Sequence, residues 1–331
     1  MAQMKYFYEL TISSSPHVHS PVTTQTIMRD VLIALAPALV GSVVFFGFRA
    51  LTVTLVSVAA CMLWEWAYCK VMKVNNKVYD LSAAVTGVLL AFVCPVTIPY
   101  WTIILGAFFA IVLVKMLFGG LGRNIVNPAL AGRAFMFSWP VLMSTWVKVG
   151  FENAASPFGA ADVVTAATPM GNLHAGILPE TSIMESFWGN VGGCIGETSA
   201  ALLLVGFVYL LIRKVITARI PLAFIGTVAV LTFLFPMGNA RIDWMLYHLF
   251  SGGLMLGAIF MATDYVTSPL TKLGQIVYGI GCGALTVLIR YFGGYPEGVS
   301  YAILCMNCCV VLLDRVGRPV KFGAPKKEAA K

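Results

Sequence analysis

The sequence predicts an all-α polytopic membrane protein, with about ten transmembrane helices in two inverted five-helix repeats that contain broken or half helices. Three observations carry this. Of 331 residues, 59% are hydrophobic and only 11% charged, against roughly a quarter charged in an average soluble domain, and the mean hydropathy is +0.86. Apolar runs longer than about 18 residues recur along the chain, and lipid leaves backbone groups no partners outside a helix or a closed barrel. The alternating ten-residue segments of a barrel are absent. Finally, the two halves share residues at a constant spacing, as a duplicated unit would.

Residues 1–29 read as a cytoplasmic N-terminal segment. The stretch from Ser13 to His19 is largely polar and no apolar signal-peptide core is visible, so the first helix is expected to serve as its own insertion signal. The first transmembrane repeat, 30–147, holds apolar runs near 30–48, 50–69, 82–95, 98–118 and 130–147. The stretches 82–95 and 130–147 are short for a full crossing and are bordered by Pro95 and Pro128, the pattern of half helices lining an interior site. Residues 148–190 form one long connection. The second repeat, 191–314, has runs near 192–212, 220–236, 244–263, 272–291 and 298–314. Residues 315–331 form a basic cytoplasmic tail suited to an anionic leaflet or a subunit contact.

At an offset of 174, Pro95 matches Pro269, Thr97 matches Thr271, and Phe118-Gly119-Gly120 matches Phe292-Gly293-Gly294. With five spans between equivalent positions, the second copy enters the membrane upside down relative to the first. Folds of this kind hold ligands between the repeats.

The net charge of +8 comes from 22 basic residues set beside long apolar spans. With the N-terminus inside, all of them except Arg49, Lys148, Arg241 and Arg290 fall on the cytoplasmic side. This bias places both termini in the cytoplasm and the 148–190 connection outside. The basic excess is thus accounted for by orientation, and nucleic-acid binding is not expected. The eight cysteines lie mostly in apolar runs and read as small core residues. Cys305-x-x-Cys308-Cys309 is expected in the core too, because it has neither His nor acidic company; no metal site is expected.

The outer connection carries Asp162-Val-Val-Thr165-Ala-Ala167-Thr168-Pro169. A threonine among small residues offers an accessible hydroxyl, and a phosphate esterified there would sit in water. Asp162-x-x-Thr165-x-Ala167-Thr168 resembles the flavinylation motif Asp-x-x-(Ser/Thr)-Gly-Ala-Thr of the Rnf and Na+-pumping NADH:quinone reductase families, with Ala166 in place of the glycine. Two further stretches are similar to the membrane flavoprotein subunit of those complexes: the run from Phe118 to Phe135 (FGGLGRNIVNPALAGRAF) and Ala262-Thr-Asp-Tyr-Val-Thr-Ser-Pro269. The resemblance covers nearly the whole chain. The short N-terminal region is more like the RnfD branch of this shared family than the quinone-reductase branch, whose members carry a longer N-terminal extension.

The resemblance implies FMN joined to Thr168 by a phosphoester, installed by a flavin transferase that reads Asp162, Thr165 and Ala167. It also implies a non-covalent riboflavin near the cytoplasmic half, assigned to Asn124 and Asn127. The residues themselves support two readings. Glycines 119, 120, 122 and 132 permit close backbone approach, and two amides three apart suit a flat heteroaromatic ring. Equally, the segment is a tight turn whose asparagines cap a helix.

Ionisable groups in apolar spans are costly and therefore candidate functional groups. Asp264 and Glu65 are assigned to an ion path, although Glu65 also fits a residue snorkelling at a helix end near Lys70; His248 and Glu197 share the apolar setting. No side chain is given a catalytic role, since the cofactors do the redox chemistry.

The implied function is electron transfer from ferredoxin to NAD+ coupled to Na+ or H+ export, in a bacterial or archaeal cell (inner) membrane. The chain shows neither a dinucleotide-binding glycine fingerprint nor an iron–sulfur cysteine cluster, so iron–sulfur, NAD-binding and second covalent-FMN subunits are expected as partners alongside lipid. The alternatives are the equivalent component of a Na+-translocating NADH:quinone reductase, a non-redox transporter or channel with inverted repeats, and a plain membrane scaffold.

Overall fold

A computed structural model describes residues 22–74, 78–147, 168–237 and 240–315. Among them the chain is helical. In the first half α1 spans Thr24–Phe46, α2 Phe48–Val71, α3 Ser82–Phe92 and α4 Tyr100–Phe108, which continues as π-helical turns over Phe109–Met116; α5 spans Pro128–Met136 and α6 Pro140–Met143. Two short helices follow, α7 over Pro169–His174 and α8 over Ile183–Trp188. The second half has α9 over Ala200–Ile212, α10 over Arg219–Leu234, α11 over Arg241–Phe250, α12 over Leu254–Leu256 continuing as π turns through Met261, α13 over Lys272–Phe292 and α14 over Val299–Leu313.

Local chemistry sets the ends. Thr23 caps α1 in a reciprocal box with Thr26, Ser199 caps α9, and Thr271 caps α13. Each satisfies backbone N–H groups that would otherwise lack partners. Two segments differ from the sequence expectation. The run 192–212 turns helical only at Ala200, because residues 191–199 form a buried non-helical segment with a turn at Cys194–Glu197, where Ile195 N donates to Cys94 O and Gly196 N to Phe92 O at 3.0 and 2.9 Å. The run 244–263 is not one straight helix: it bends by 60° at Ser251–Gly253. The first helix also begins six residues before residue 30, at Thr24.

Among the described residues, only α1, α2 and α13 are each long and apolar enough to cross a bilayer alone; the bent α11–α12 pair makes a fourth candidate. The shorter apolar helices are joined by non-helical backbone. Such backbone is tolerated at membrane depth only where protein covers it, and the segments 92–99 and 191–199 are largely buried. Helix α3 lies in the centre, with all but one of its residues buried. Large apolar side chains remain exposed on the outer helices, among them Val40, Leu63, Ile212, Leu222 and Leu288, the face a membrane protein turns to lipid.

The repeat is visible in the packing. At the offset of 174, α2, α4 and α5 fall on α10, α13 and α14; α2 packs against α4 as α10 does against α13, and α4 against α5 as α13 does against α14. Symmetry-equivalent helices meet head to tail. Asp30 near the start of α1 pairs with Arg213 just past the end of α9 at 3.1 Å, while Gly41 sits against Leu202 near the α9 start. Between them a Cβ on Gly206 would collide with the Ala34 carbonyl, so glycine sets the spacing of this antiparallel pair. Helices α5 and α14 also run antiparallel: Arg133 in α5 meets Ser300 at the start of α14, and Asn127 at the head of α5 meets Asn307 farther along α14. Inversion of the second copy follows.

The cysteine expectation needs correction in part. Cys61, Cys69, Cys94, Cys194 and Cys282 are buried, but Cys305 and Cys308 are exposed and Cys309 is half-buried. They occupy the outer face of α14, where lipid supplies the apolar surroundings that an interior would otherwise provide.

Candidate functional site

Of the sequence-assigned residues, Asn124, Asn127 and Asp264 line one pocket and Thr168 another, at opposite ends of α9, whose thirteen residues span about 20 Å at ~1.5 Å per residue. The first pocket lies near the start of α1 and the end of α9 and has a cavity volume of about 80 Å³. Its walls include Asn124, Asn127, Asp264 and Lys115 among apolar side chains such as Val31, Val85, Leu89 and Phe260. Tyr265 closes one side by donating its hydroxyl to Val215 O.

Backbone irregularity builds this pocket. The wide turns of the α4 extension are marked by Leu117 N donating to Val112 O and Gly120 N to Lys115 O, each at 3.0 Å and each five residues apart. Such π turns re-aim a helical side chain and recur at functional sites. Here Lys115 is buried, with its Nζ donating to Glu65 Oε2 at 2.9 Å and to Ser82 Oγ at 2.8 Å. Glu65 is therefore an interior partner of Lys115 and reaches the pocket only through it; it does not snorkel. Asp264 follows the π turns of the α12 extension, and its Oδ2 accepts from Thr267 Oγ1 at 3.1 Å.

The two asparagines have different jobs. Asn127 Oδ1 accepts from Ala129 N and Leu130 N at 3.0 and 3.4 Å, and its Nδ2 donates to Met261 O at 3.3 Å. It caps α5 and ties the break in one repeat to the break in the other. Asn124 Nδ2 donates only to Val126 O, at 3.2 Å, so its amide is the freer of the two to meet a ligand.

The second pocket is small, about 10 Å³, and is lined by Thr168, Ser251, Gly252, Glu197 and Glu297 among others. Thr168 is half-buried at the head of α7, and its Oγ1 accepts from Gly171 N at 3.1 Å. Asp162, Thr165 and Ala167 lie outside the described residues. Behind the pocket stands a buried charge cluster that sequence reasoning did not assemble. Arg133 Nη1 donates to Glu197 Oε1 at 3.3 Å and Ser300 Oγ at 2.7 Å, while its Nη2 reaches Glu297 and Cys194 Sγ. The ligand atoms of Cys194, Glu197 and Glu297 lie within 4.8 Å of one another, but the guanidinium already fills the place a metal ion would take. A second buried cation, Arg290 in α13, donates from Nη1 to His248 O at 2.7 Å. The only sequence signal for either cluster was the cost of ionisable groups in apolar runs, which flagged Glu197 and His248 without naming their partners.

The model of the NQR2, RnfD, RnfE family matches residues 11–323. The chain belongs to this family. Over 326 residues it is 44% identical to a component of the Na(+)-translocating ferredoxin:NAD(+) oxidoreductase complex of Acetobacterium woodii, the subunit lettered D, covering 97% of this chain and 98% of the relative. It is also 44% identical over 330 residues to the subunit of the same letter in the proton-translocating ferredoxin:NAD(+) oxidoreductase complex of Clostridium ljungdahlii, covering 95% and 96%. The like-lettered subunit of the ion-translocating oxidoreductase complex of Stutzerimonas stutzeri is 37% identical over 323 residues, with 90% and 91% covered. As a member of the NQR2, RnfD, RnfE family with an all-helical, lipid-facing exterior, the chain is a membrane protein. The expected fold and membrane class thus agree with both its packing and its relatives.

Proposed function

We propose that this chain is the membrane flavoprotein subunit of an ion-translocating ferredoxin:NAD+ oxidoreductase complex, holding FMN covalently on Thr168 and passing electrons through the membrane as Na+ or H+ moves outward. The observation that carries the reading is a pair of pockets at opposite ends of α9, each mostly apolar with a few polar side chains, one containing Thr168 and the other Asn124 and Asp264. That spacing suits a chain that relays charge between the two faces of a bilayer.

FMN, when bound, supplies the redox chemistry, and the protein supplies position and electrostatics. Thr168 contributes the ester oxygen, held at the head of α7 beside the second pocket. The first pocket is walled mainly by apolar side chains with a few polar groups among them, the pattern of small-molecule sites. Its apolar walls suit the ring system of a non-covalent riboflavin, with Asn124 as the polar contact. Asp264 contributes an acidic group on the same wall for the moving ion, and Lys115 carries Glu65 into reach of it. The Acetobacterium and Clostridium relatives, named for different ions, are equally identical to this chain, so overall identity does not select between Na+ and H+. Iron–sulfur, NAD-binding and second covalent-FMN subunits complete the complex. Both termini lie in the cytoplasm and the flavin loop outside.

The test is in-gel flavin fluorescence of the denatured chain, expressed with a flavin transferase, beside Thr168→Ala. A fluorescent band that disappears in the variant is expected. A dark wild-type band, with the transferase proven active on a known acceptor, would overturn the covalent assignment and favour a non-redox transporter.

A further inference from the structure

We propose that Glu197 and Glu297, which share the Arg133 guanidinium, form a one-proton site in the wall of the Thr168 pocket, filled when an electron arrives at the group on Thr168. The proposal rests on the covalent flavin reading.

Hydrogen bonding comes first. Arg133 spends both of its Nη atoms on Glu197 Oε1, Ser300, Glu297 and Cys194. Glu197 Oε2 is left buried without a partner, and so is Ser251 Oγ in the wall of the same pocket. A buried acceptor without a donor costs about 1–3 kcal/mol, and more if charged. A proton on Oε2 converts it to an O–H donor, and the Ser251 hydroxyl is an acceptor of the matching kind. Gly253 lets this arrangement form, since a Cβ there would lie 2.5 Å from Glu197 Oε1.

Charge decides whether such a proton exchanges. Around Glu197 stand Arg133 from α5, Cys194 from the non-helical segment before α9 and Glu297 from just before α14, while Ser251, from the α11–α12 break, lines the same pocket. Farther off, Arg290 from α13 directs its bonds to His248 of α11. Two arginines and two carboxylates make a neutral cluster when Glu197 is ionised. The unpartnered Oε2 and the adjacent Glu297 favour the protonated form, while the Arg133 guanidinium on Oε1 favours the ionised one. One electron added nearby, drawn from an iron–sulfur reductant such as ferredoxin, shifts the total by −1. One proton from water at the Thr168 end then adds to Oε2 and restores neutrality; on reoxidation the O–H bond ionises and the proton returns to water.

Redox-difference infrared spectroscopy of the purified complex, in H2O and D2O, tests this. Reduction is expected to produce a carboxylic-acid C=O band that moves to lower frequency in D2O and is lost in Glu197→Gln. Glu297→Gln serves as a second variant with the same expected loss should the first fail to fold. A pH-difference spectrum of Thr168→Ala separates the two readings: the acid band should still titrate there, with no redox response. Failure of wild type to carry flavin would sink the covalent reading while leaving that titration to report on the carboxylate pair. The proposal is overturned if no acid band titrates, if the band survives both substitutions, if it titrates without responding to reduction in flavinylated wild type, or if it follows Na+ concentration at fixed pH.

Discussion

Replacing Arg133 with glutamine removes the single cation that serves two carboxylates from other parts of the chain. Arg133 is 2% exposed, so water offers no substitute for the bonds it makes to Glu197, Glu297, Ser300 and Cys194. Removing one partner of a buried ion pair costs about 3–5 kcal/mol, mostly because the opposite charge is left stranded. Two stranded carboxylates put Arg133→Gln in the upper part of that range, about 4–5 kcal/mol. At about 1.4 kcal/mol per factor of ten, the folded-to-unfolded ratio drops roughly a thousandfold or more. The triple variant Arg133→Gln/Glu197→Gln/Glu297→Gln strands neither carboxylate and leaves Arg290, which bonds His248 O, as the remaining buried cation of the cluster, so it should be more stable than the single variant though short of wild type. Denaturant titration of the detergent-purified protein reads both, using tryptophan emission from residues that include the fully buried Trp244. A single variant within about 1 kcal/mol of wild type, or a triple variant no better than the single, would refute the reasoning.

Three further outcomes are expected. Gly206→Val should force α1 from α9, costing about 1–3 kcal/mol or more by overpacking; size-exclusion profiles showing wild-type yield and shape would count against the close-approach argument. A cysteine in place of Asn172, in α7, should react with an impermeant thiol reagent applied to intact cells. Labelling only after lysis would reverse the orientation. Asp264→Asn should cut ion transport into inverted vesicles while leaving the covalent flavin band in place, and unchanged transport would remove Asp264 from the ion route.

Much of the fold was legible in the sequence because its signals are local. Apolar run length, prolines at the broken segments and the offset of 174 announce membrane helices and duplication without knowledge of any contact. Where the readings fell short, a distant partner was responsible. The non-helical run before Ala200 reads as helical by composition, yet its backbone binds Cys94 and Phe92 from the other repeat. The α14 cysteines are apolar by company, but their side of the helix is set by which face α13 and α5 cover.

The sequence by itself determined the class of protein and its internal duplication, since each depends on composition or on neighbouring residues, and its resemblance to a family motif singled out Thr168 as a candidate attachment point. Tertiary structure alone decided that Asn127 caps α5 while Asn124 stays free, and that Glu65 pairs with Lys115 across 50 residues. It also decided that Arg133 gathers Glu197 and Glu297 from 64 and 164 residues away. Helical periodicity says which face a residue occupies, but not which face of another repeat lies opposite. In a low-dielectric interior that opposite face settles whether a charge is stranded, paired or free to exchange a proton.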